Sequence, residues 1–362
     1  MIVFILRPFR PQDGWEGARA MNLRTAAELL RGGQMRVLLG AMRLVTPYYR
    51  LLWLVAAFRS GLIARLDGGA RSLEELAQDR VRDAADRDWL RAWLELGVRV
   101  GQLRLESGRY SLRSYLARQI ARPANDAIAA ILEEVATLHY RLVLESPRRM
   151  AEGRRFELSD QDGVLVARSS PLLRPFVHEA IDEVVPRSGA FRVLEVGAGS
   201  GTYIRYAAER NSELTAVGLE LQPEVADFAN ANLREWGLER RAHVAPQDVR
   251  ARKPEPEFEL VTFHNNIYYF PVAERVALLR HARGFLRPGG SILLTTACGG
   301  GSPTSIGLDI WSAGTERCGR LPAPEELVEQ LREAGFDEAR AASLFPGEKY
   351  YAFFARHSGS RG

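Results

Sequence analysis

The sequence predicts an α/β chain in which a doubly wound, mostly parallel seven-stranded sheet follows a mainly α-helical first part. Three observations carry this reading. Strand-like and helix-like segments alternate from Gly189 to Arg356, as they do when helices cover both faces of a parallel sheet. The apolar run FRVLEV is followed by GAGSG, a turn whose glycines let backbone N–H groups approach a ligand where a helix begins. Before Arg155 the pattern is mostly helical. A chain of 362 residues with 46% hydrophobic content can build two cores, and the boundaries are placed at 1–20, 21–155 and 156–362.

Residues 1–20, rich in Pro, Gly and Arg, read as a disordered arm, or as lying outside the natural product if translation begins at Met21, which opens the helical MNLRTAAELL. Neither MIVFILRPFR nor LLWLVAAF at 51–58 is long enough to span a bilayer, and the former lacks a small-residue cleavage site. Two cysteines, Cys298 and Cys318, make neither a disulfide framework nor a zinc site, so a cytoplasmic protein without membrane contact is expected. FRSGLIARL, SLEELAQ and DWLRAWLELGVRVGQL read as three helices, the second N-capped by Ser72 with Glu75 completing a capping box. LRLESGRYSL reads as a hairpin turning at Ser107 and Gly108, and three helices before a hairpin make a winged helix. DAIAAILEEVATLHYRLVLESPRRM is expected as one long connecting helix, and SPLLRPFVHEAIDEVV as another that leads into the first strand of the large sheet.

That sheet reads in order as FRVLEV, the helix after the glycines, LTAVGLEL, the helix PEVADFANANLREWG, RAHVAPQDV, FELVTFH, the helix PVAERVALLRHARGFL, and GGSILLTTA. A Gly-rich loop, the helix APEELVEQLREAG and a closing pair near ARAASLF and KYYAFFAR complete it, with the last strand antiparallel.

The net charge of +4 is unevenly spread. Through Arg155 there are 26 basic and 17 acidic residues, a net of +9, and beyond it 23 and 28, a net of −5. A basic first part raises the reading of a ligand-responsive DNA-binding regulator. Against it, SLEELAQD is acidic where a recognition helix presents basic and amide side chains, and the wing RLESGRYS is short. No nucleic-acid partner is expected.

Two ligand classes use the turn E-V-G-A-G-S-G, formed by Glu195, Gly197, Ala198, Gly199 and Gly201: dinucleotides and S-adenosylmethionine. Glu220 ends the second strand, where a ribose diol can donate to both its oxygens in either class. The glycines stop at Gly201 without the G-x-x-G spacing of dinucleotide sites. Asp248, after the third strand, is placed to accept the adenine amino proton, with Leu221 and Val249 on either side of the ring. On VLEVGAGSG, VGLEL, QDV, FELVTFHNNIYYF, LRPGGSILLTTA and LREAGF, the chain resembles the class I S-adenosylmethionine-dependent methyltransferases, with their Rossmann-like fold, across 170–356. The resemblance implies S-adenosylmethionine as cofactor and S-adenosylhomocysteine as product. The methionine part would be held around Glu195 and Gly197–Gly201, the ribose by Glu220, the adenine by Gln247, Asp248 and Val249, with His264 nearby. The first part is similar in pattern to the winged-helix dimerisation domain of small-molecule O-methyltransferases of secondary metabolism, which implies a homodimer whose helical domain lids the pocket.

HNNIYYF, after the fourth strand, supplies the expected acceptor site: Asn265, Asn266, Tyr268 and Tyr269, joined by Trp311 from the loop after the fifth. Here the chain departs from the family pattern. Aligned on Pro271, the family's histidine base falls on Tyr268, and a phenol with a pKa of about 10 is a poor base at neutral pH. Tyr268 and His264, four positions away, are the catalytic candidates, and His178 is a further one facing the pocket. His139, His243, His281 and His357 read as structural or solvated. No carboxylate and histidine cluster has metal-ligand spacing, so a metal-independent site is expected. The function expected is methyl transfer to a small-molecule acceptor, with O-methylation first by resemblance. N- or C-methylation, or a non-methylating reaction on the same fold, are the alternatives.

Overall fold

The structure is a computed structural model that describes residues 33–78, 82–301, 305–345 and 347–359; the expected arm at 1–20 and the helix MNLRTAAELL lie outside them. The first helix, α1 (Gln34–Arg59), buries only its last third, through Trp53, Leu54, Val55 and Ala57. Gly61, in the left-handed region at φ 70°, separates it from α2 (Leu62–Asp67), so FRSGLIARL is broken rather than one helix. β1 (Arg71–Ser72) leads into α3 (Leu73–Ala77), whose start is closed by the expected box of Ser72 and Glu75. Asp83 caps α4 (Ala84–Arg99). The indole of Trp53 donates to the Trp93 carbonyl at 2.9 Å and lies so close to Gly97 that no other residue fits there. β2 (Leu103–Glu106) and β3 (Arg109–Leu112) pair through a turn with Ser107 at φ 49° and Gly108 at φ 75°, both positive as a two-residue hairpin requires. The short β1 adds to the far side of β3.

Ser114 caps α5 (Tyr115–Ile120). The expected connecting helix forms as α6 (Asp126–Glu134) and α7 (Tyr140–Ala151), joined by a π-helical turn at Val135–His139. Two shorter helices follow, α8 (Gly163–Ser169) and α9 (Arg174–Val184).

The large sheet then begins: β4 (Phe191–Val196), α10 (Thr202–Arg210), β5 (Leu214–Glu220), α11 (Pro223–Glu235), β6 (Ala242–Pro246) and β7 (Phe258–His264). It continues with α12 (Arg275–Arg283), β8 (Leu286–Ala297), α13 (Ile306–Gly314), α14 (Pro324–Glu333), β9 (Asp337–Ser343) and β10 (Tyr350–Arg356). The strand order is β6-β5-β4-β7-β8-β10-β9, parallel except for β10, which runs antiparallel to both neighbours. β8 starts earlier than GGSILLTTA suggested, because LRPGG joins the strand across a register shift against β7. One face packs Val193, Leu260 and Leu293 on α9, α10 and α11; the other packs Leu194, Val261 and Phe263 on α12 and α14. The chain moves outward from β4 to β6 and returns to β7 on the other side of β4. The carboxyl ends of β4 and β7 therefore form a topological switch point, where open α/β sheets take their ligands.

Candidate functional site

Gly197, Gly199 and Gly201, which leave β4 at that point, have φ of 65°, 54° and 76°. Side chains rarely adopt such angles, so the turn requires its glycines. The N–H groups of Gly197 and Ala198 both donate to the Leu219 carbonyl, at 2.7 and 3.1 Å, which pins the turn to β5. A Cβ on Gly197 would stand 2.5 Å from the Asn266 amide nitrogen, and that amide donates to the Val196 carbonyl. The turn is thus clamped between β5 and the segment after β7. Above it, the methyl of Ala167 in α8 is 4.0 Å from where a Cβ on Gly199 would sit.

Glu220 is fixed over the same turn. Gly199 N–H donates to its Oε2 at 3.1 Å, while Leu221 and Gln222 N–H groups donate to Oε1 at 2.9 and 3.3 Å. Burial raises its pKa, and the three N–H bonds oppose the rise. A carboxylate has about four acceptor positions, so a diol can still donate to it. Gln247 N–H donates to the Glu220 carbonyl at 2.9 Å, bringing the QDV segment alongside. There the geometry differs from expectation. Asp248 takes the Arg250 N–H at 2.9 Å and the Arg250 guanidinium at 2.7 to 3.1 Å, which holds its carboxyl below the ordinary value. An adenine amino group reaches Asp248 only if Arg250 shares it. Val249 is 3% exposed and packed in the core, whereas Leu221 is 52% exposed, so Leu221 is the open apolar side chain beside Glu220.

Side chains alternate along a strand. Glu195, Thr262, His264 and Thr295 therefore fall on the face that carries α9 and α10. Glu195 is 2% exposed and its Oε1 has no protein partner; burial first, then the Glu220 charge, holds its carboxyl well above the ordinary range. His264 Nδ1 bonds Thr295 Oγ1 at 2.9 Å and its ring lies 4.6 Å from that of Tyr203. Its Nε2 is unpartnered, and burial pushes its pKa down to about 3. His178, on α9, stacks on Tyr206 with an unpartnered Nε2 and a pKa lowered by burial to about 4. Thr262 Oγ1 is unpartnered too. An unsatisfied buried polar group costs about 1 to 3 kcal/mol, so four such atoms gathered at one switch point suit a polar ligand that bonds them.

Beyond β7, Asn265 is left-handed at φ 55° and donates its N–H to the Thr295 carbonyl at 2.7 Å. Asn266 Oδ1 is buried without a partner. The Tyr268 and Tyr269 rings lie 4.8 Å apart, and the Gln161 amide donates to the Tyr269 hydroxyl at 3.3 Å. Burial raises both phenols, Tyr268 well above its ordinary value, so Tyr268 stays protonated at neutral pH. Trp311 is buried against Phe156 with its indole N–H unpartnered. His281 bonds the Val249 and Arg252 carbonyls at 3.0 Å and His357 accepts from Arg283 at 3.2 Å, both away from this group. His139 packs against Gly307 of α13, and His243 is exposed. Gln161, which bonds Tyr269, and Glu134, a buried carboxyl at the end of α6 whose charge acts on both tyrosines, were marked by no sequence pattern. Among the described residues no cluster of His, Cys, Asp and Glu has the arrangement of a metal site, and no helix is long and apolar enough to cross a membrane.

Known proteins resemble this chain in its domain and its fold. A family model described as a methyltransferase domain matches residues 194–292. Demethylspheroidene O-methyltransferase of Rhodobacter capsulatus is 26% identical over 185 residues, 49% of this chain and 45% of that protein. Acetylserotonin O-methyltransferase of Mus musculus is 32% identical over 182 residues, 48% of this chain and 46% of that protein. The matches thus span just under half the length of these curated relatives. The crystal structure of human N-acetylserotonin methyltransferase in complex with S-adenosylmethionine superposes with a TM-score of 0.67 at 16% identity, covering 95% of this chain and 100% of that one. Residues 194–292 thus match a methyltransferase domain, and the chain shares its fold with that methyltransferase structure.

Proposed function

We propose that this protein transfers a methyl group from S-adenosylmethionine to a small-molecule acceptor of secondary metabolism, with O-methylation the favoured outcome. The observation that carries the reading is Glu220, fixed by the Gly199 N–H over a left-handed glycine turn at the switch point. The unpartnered atoms of Glu195, Thr262, His264 and His178 beside it suit the charged methionine end. Leu221 and the Gln247–Asp248 segment form the adenine side, with Val249 in the core beneath it. Asn265, Asn266, Tyr268, Tyr269 and Trp311 line the acceptor side.

The cofactor, when bound, supplies a methyl already activated by its positive sulfur. The protein's work is then to orient the acceptor and exclude water, which can lower a barrier by roughly 7 to 11 kcal/mol. α8 covers the turn through Ala167, and the two tyrosines close the acceptor side. Neither catalytic candidate is a good base: Tyr268 holds its proton, and His264 at about 3 binds one weakly. That absence keeps a second reading in view, a non-methylating reaction on the same fold.

The whole enzyme is proposed to be a cytoplasmic homodimer. Val37, Leu38, Met42, Leu44, Tyr48 and Tyr49 leave an exposed apolar stretch on α1, which supports pairing through the first part. Light scattering should find twice the chain mass at micromolar concentration; a stable monomer removes the pairing. For the site itself, calorimetry should show saturable S-adenosylmethionine binding and no heat with NAD. Glu220→Ala should weaken that binding roughly ten- to a hundredfold, about 1.5 to 3 kcal/mol, without unfolding. Unchanged affinity in the variant removes Glu220 from the site.

A further inference from the structure

With Tyr268 protonated and His264 a weak base, the acceptor's proton needs another receiver. Glu134 ends α6, immediately before the π turn at Val135–His139; such turns recur at functional sites because they re-aim neighbouring side chains. It is 7% exposed and its Oε1 has no protein partner. Ser169, on α8, the helix that covers the glycine turn, acts on its carboxyl while donating its hydroxyl to the Val166 carbonyl at 3.0 Å, and the Glu134 charge reaches both Tyr268 and Tyr269. No cation is among the groups acting on it. The charged neighbours facing it are Asp162 and Glu133, and Glu133 is itself paired with Arg59 at 3.1 Å. Arg168, on α8, turns its guanidinium to Asp126 instead. A buried structural carboxylate is ordinarily paired or fully bonded; this one has a free oxygen at the acceptor side.

We propose that Glu134 receives the acceptor's proton, and that the acceptor brings a hydroxyl into the space bounded by α6, α8 and the Tyr268–Tyr269 pair. The inference rests on the methyl-transfer reading of the site. In the step, a lone pair of the hydroxyl oxygen forms the bond to the methyl carbon and the carbon–sulfur bond breaks with its electrons left on sulfur. The hydroxyl proton passes to Glu134 Oε1 and is released to solvent before the next turnover. Burial, with Asp162 and Glu133 adding to it and Ser169 opposing it, raises the Glu134 carboxyl to about 7, the range in which a general base works at neutral pH.

The test uses the full chain, labelled with carbon-13 at its glutamate carboxyls and saturated with S-adenosylhomocysteine, followed by NMR across neutral pH. One carboxyl should titrate near neutrality and be missing from the spectrum of Glu134→Gln; Glu134→Asp, with a shorter arm, checks the assignment should the amide fold poorly. Millimolar phenol, the probe for a hydroxyl acceptor, should move that midpoint by about half a pH unit or more, and anisole, which lacks the hydroxyl, should not. The proposal is overturned if no glutamate titrates near neutrality, if phenol leaves the midpoint in place, or if anisole moves it equally. S-adenosylhomocysteine affinity, measured separately by calorimetry, keeps the two ideas apart: its absence in the parent removes the methyl-transfer reading, whereas an unmoved carboxyl removes only the role of Glu134.

Discussion

Three carboxylates in this molecule, Glu134, Glu195 and Glu220, are all raised by burial, yet only Glu220 is bonded by backbone N–H groups on both oxygens. Glu134 makes the energetic consequence measurable. Its folded pKa of about 7 lies above the ordinary 4.5, so the folded state prefers the protonated form. Its contribution to stability is full below 4.5 and is lost as pH rises toward 7; beyond that, folding carries a penalty of up to about 3 kcal/mol. Glu134→Gln removes the titration. Denaturant unfolding should find the variant gaining on the parent as pH rises through this window, and a difference that does not change with pH contradicts the assigned burial. Glu220 was legible in the sequence because a carboxylate at a strand tip has a fixed direction. Glu134 was not, since in DAIAAILEE nothing local tells a solvated helix end from one packed under α8.

At the scale of elements, the glycine turn was legible for the same reason: three glycines two apart after an apolar run leave few backbone paths. The structure adds why each is needed. At Gly199 the constraint is backbone angle more than crowding, since only the Ala167 methyl lies within 4.0 Å of a Cβ there. A branched residue in that left-handed conformation costs roughly 1 to 2 kcal/mol and points its methyls at the ligand side. Gly199→Val should abolish cofactor binding while the chain stays folded, as circular dichroism and calorimetry together can establish; normal affinity would mean the turn does not face the ligand. Other elements were hidden by their length or their partners. β1 is two residues and exists only because β3 offers it an edge. The π turn inside the connecting helix leaves no compositional mark, and LRPGG looks like a turn until Leu286 pairs with Phe258 of β7 and His357, just past β10, exchanges backbone bonds with Gly289 and Gly290.

For the whole molecule, strand and helix alternation was enough to foresee the doubly wound sheet and its antiparallel last strand, because a parallel sheet restricts how the chain can return. Chemistry is less legible than architecture, because the acceptor side as proposed draws on α6, α8, α13 and the segment after β7, far apart in sequence. The activity proposed for this protein is transfer of a methyl group to a small molecule. It is tested most directly by incubating the protein with S-adenosylmethionine labelled in its methyl group and a metabolite extract, then resolving the products by mass. S-adenosylhomocysteine should form in equal amount with a new small molecule that carries the label, and no such product should form with Glu220→Ala at the same cofactor concentration. A product formed without the label, while the cofactor binds and is not consumed, would contradict it.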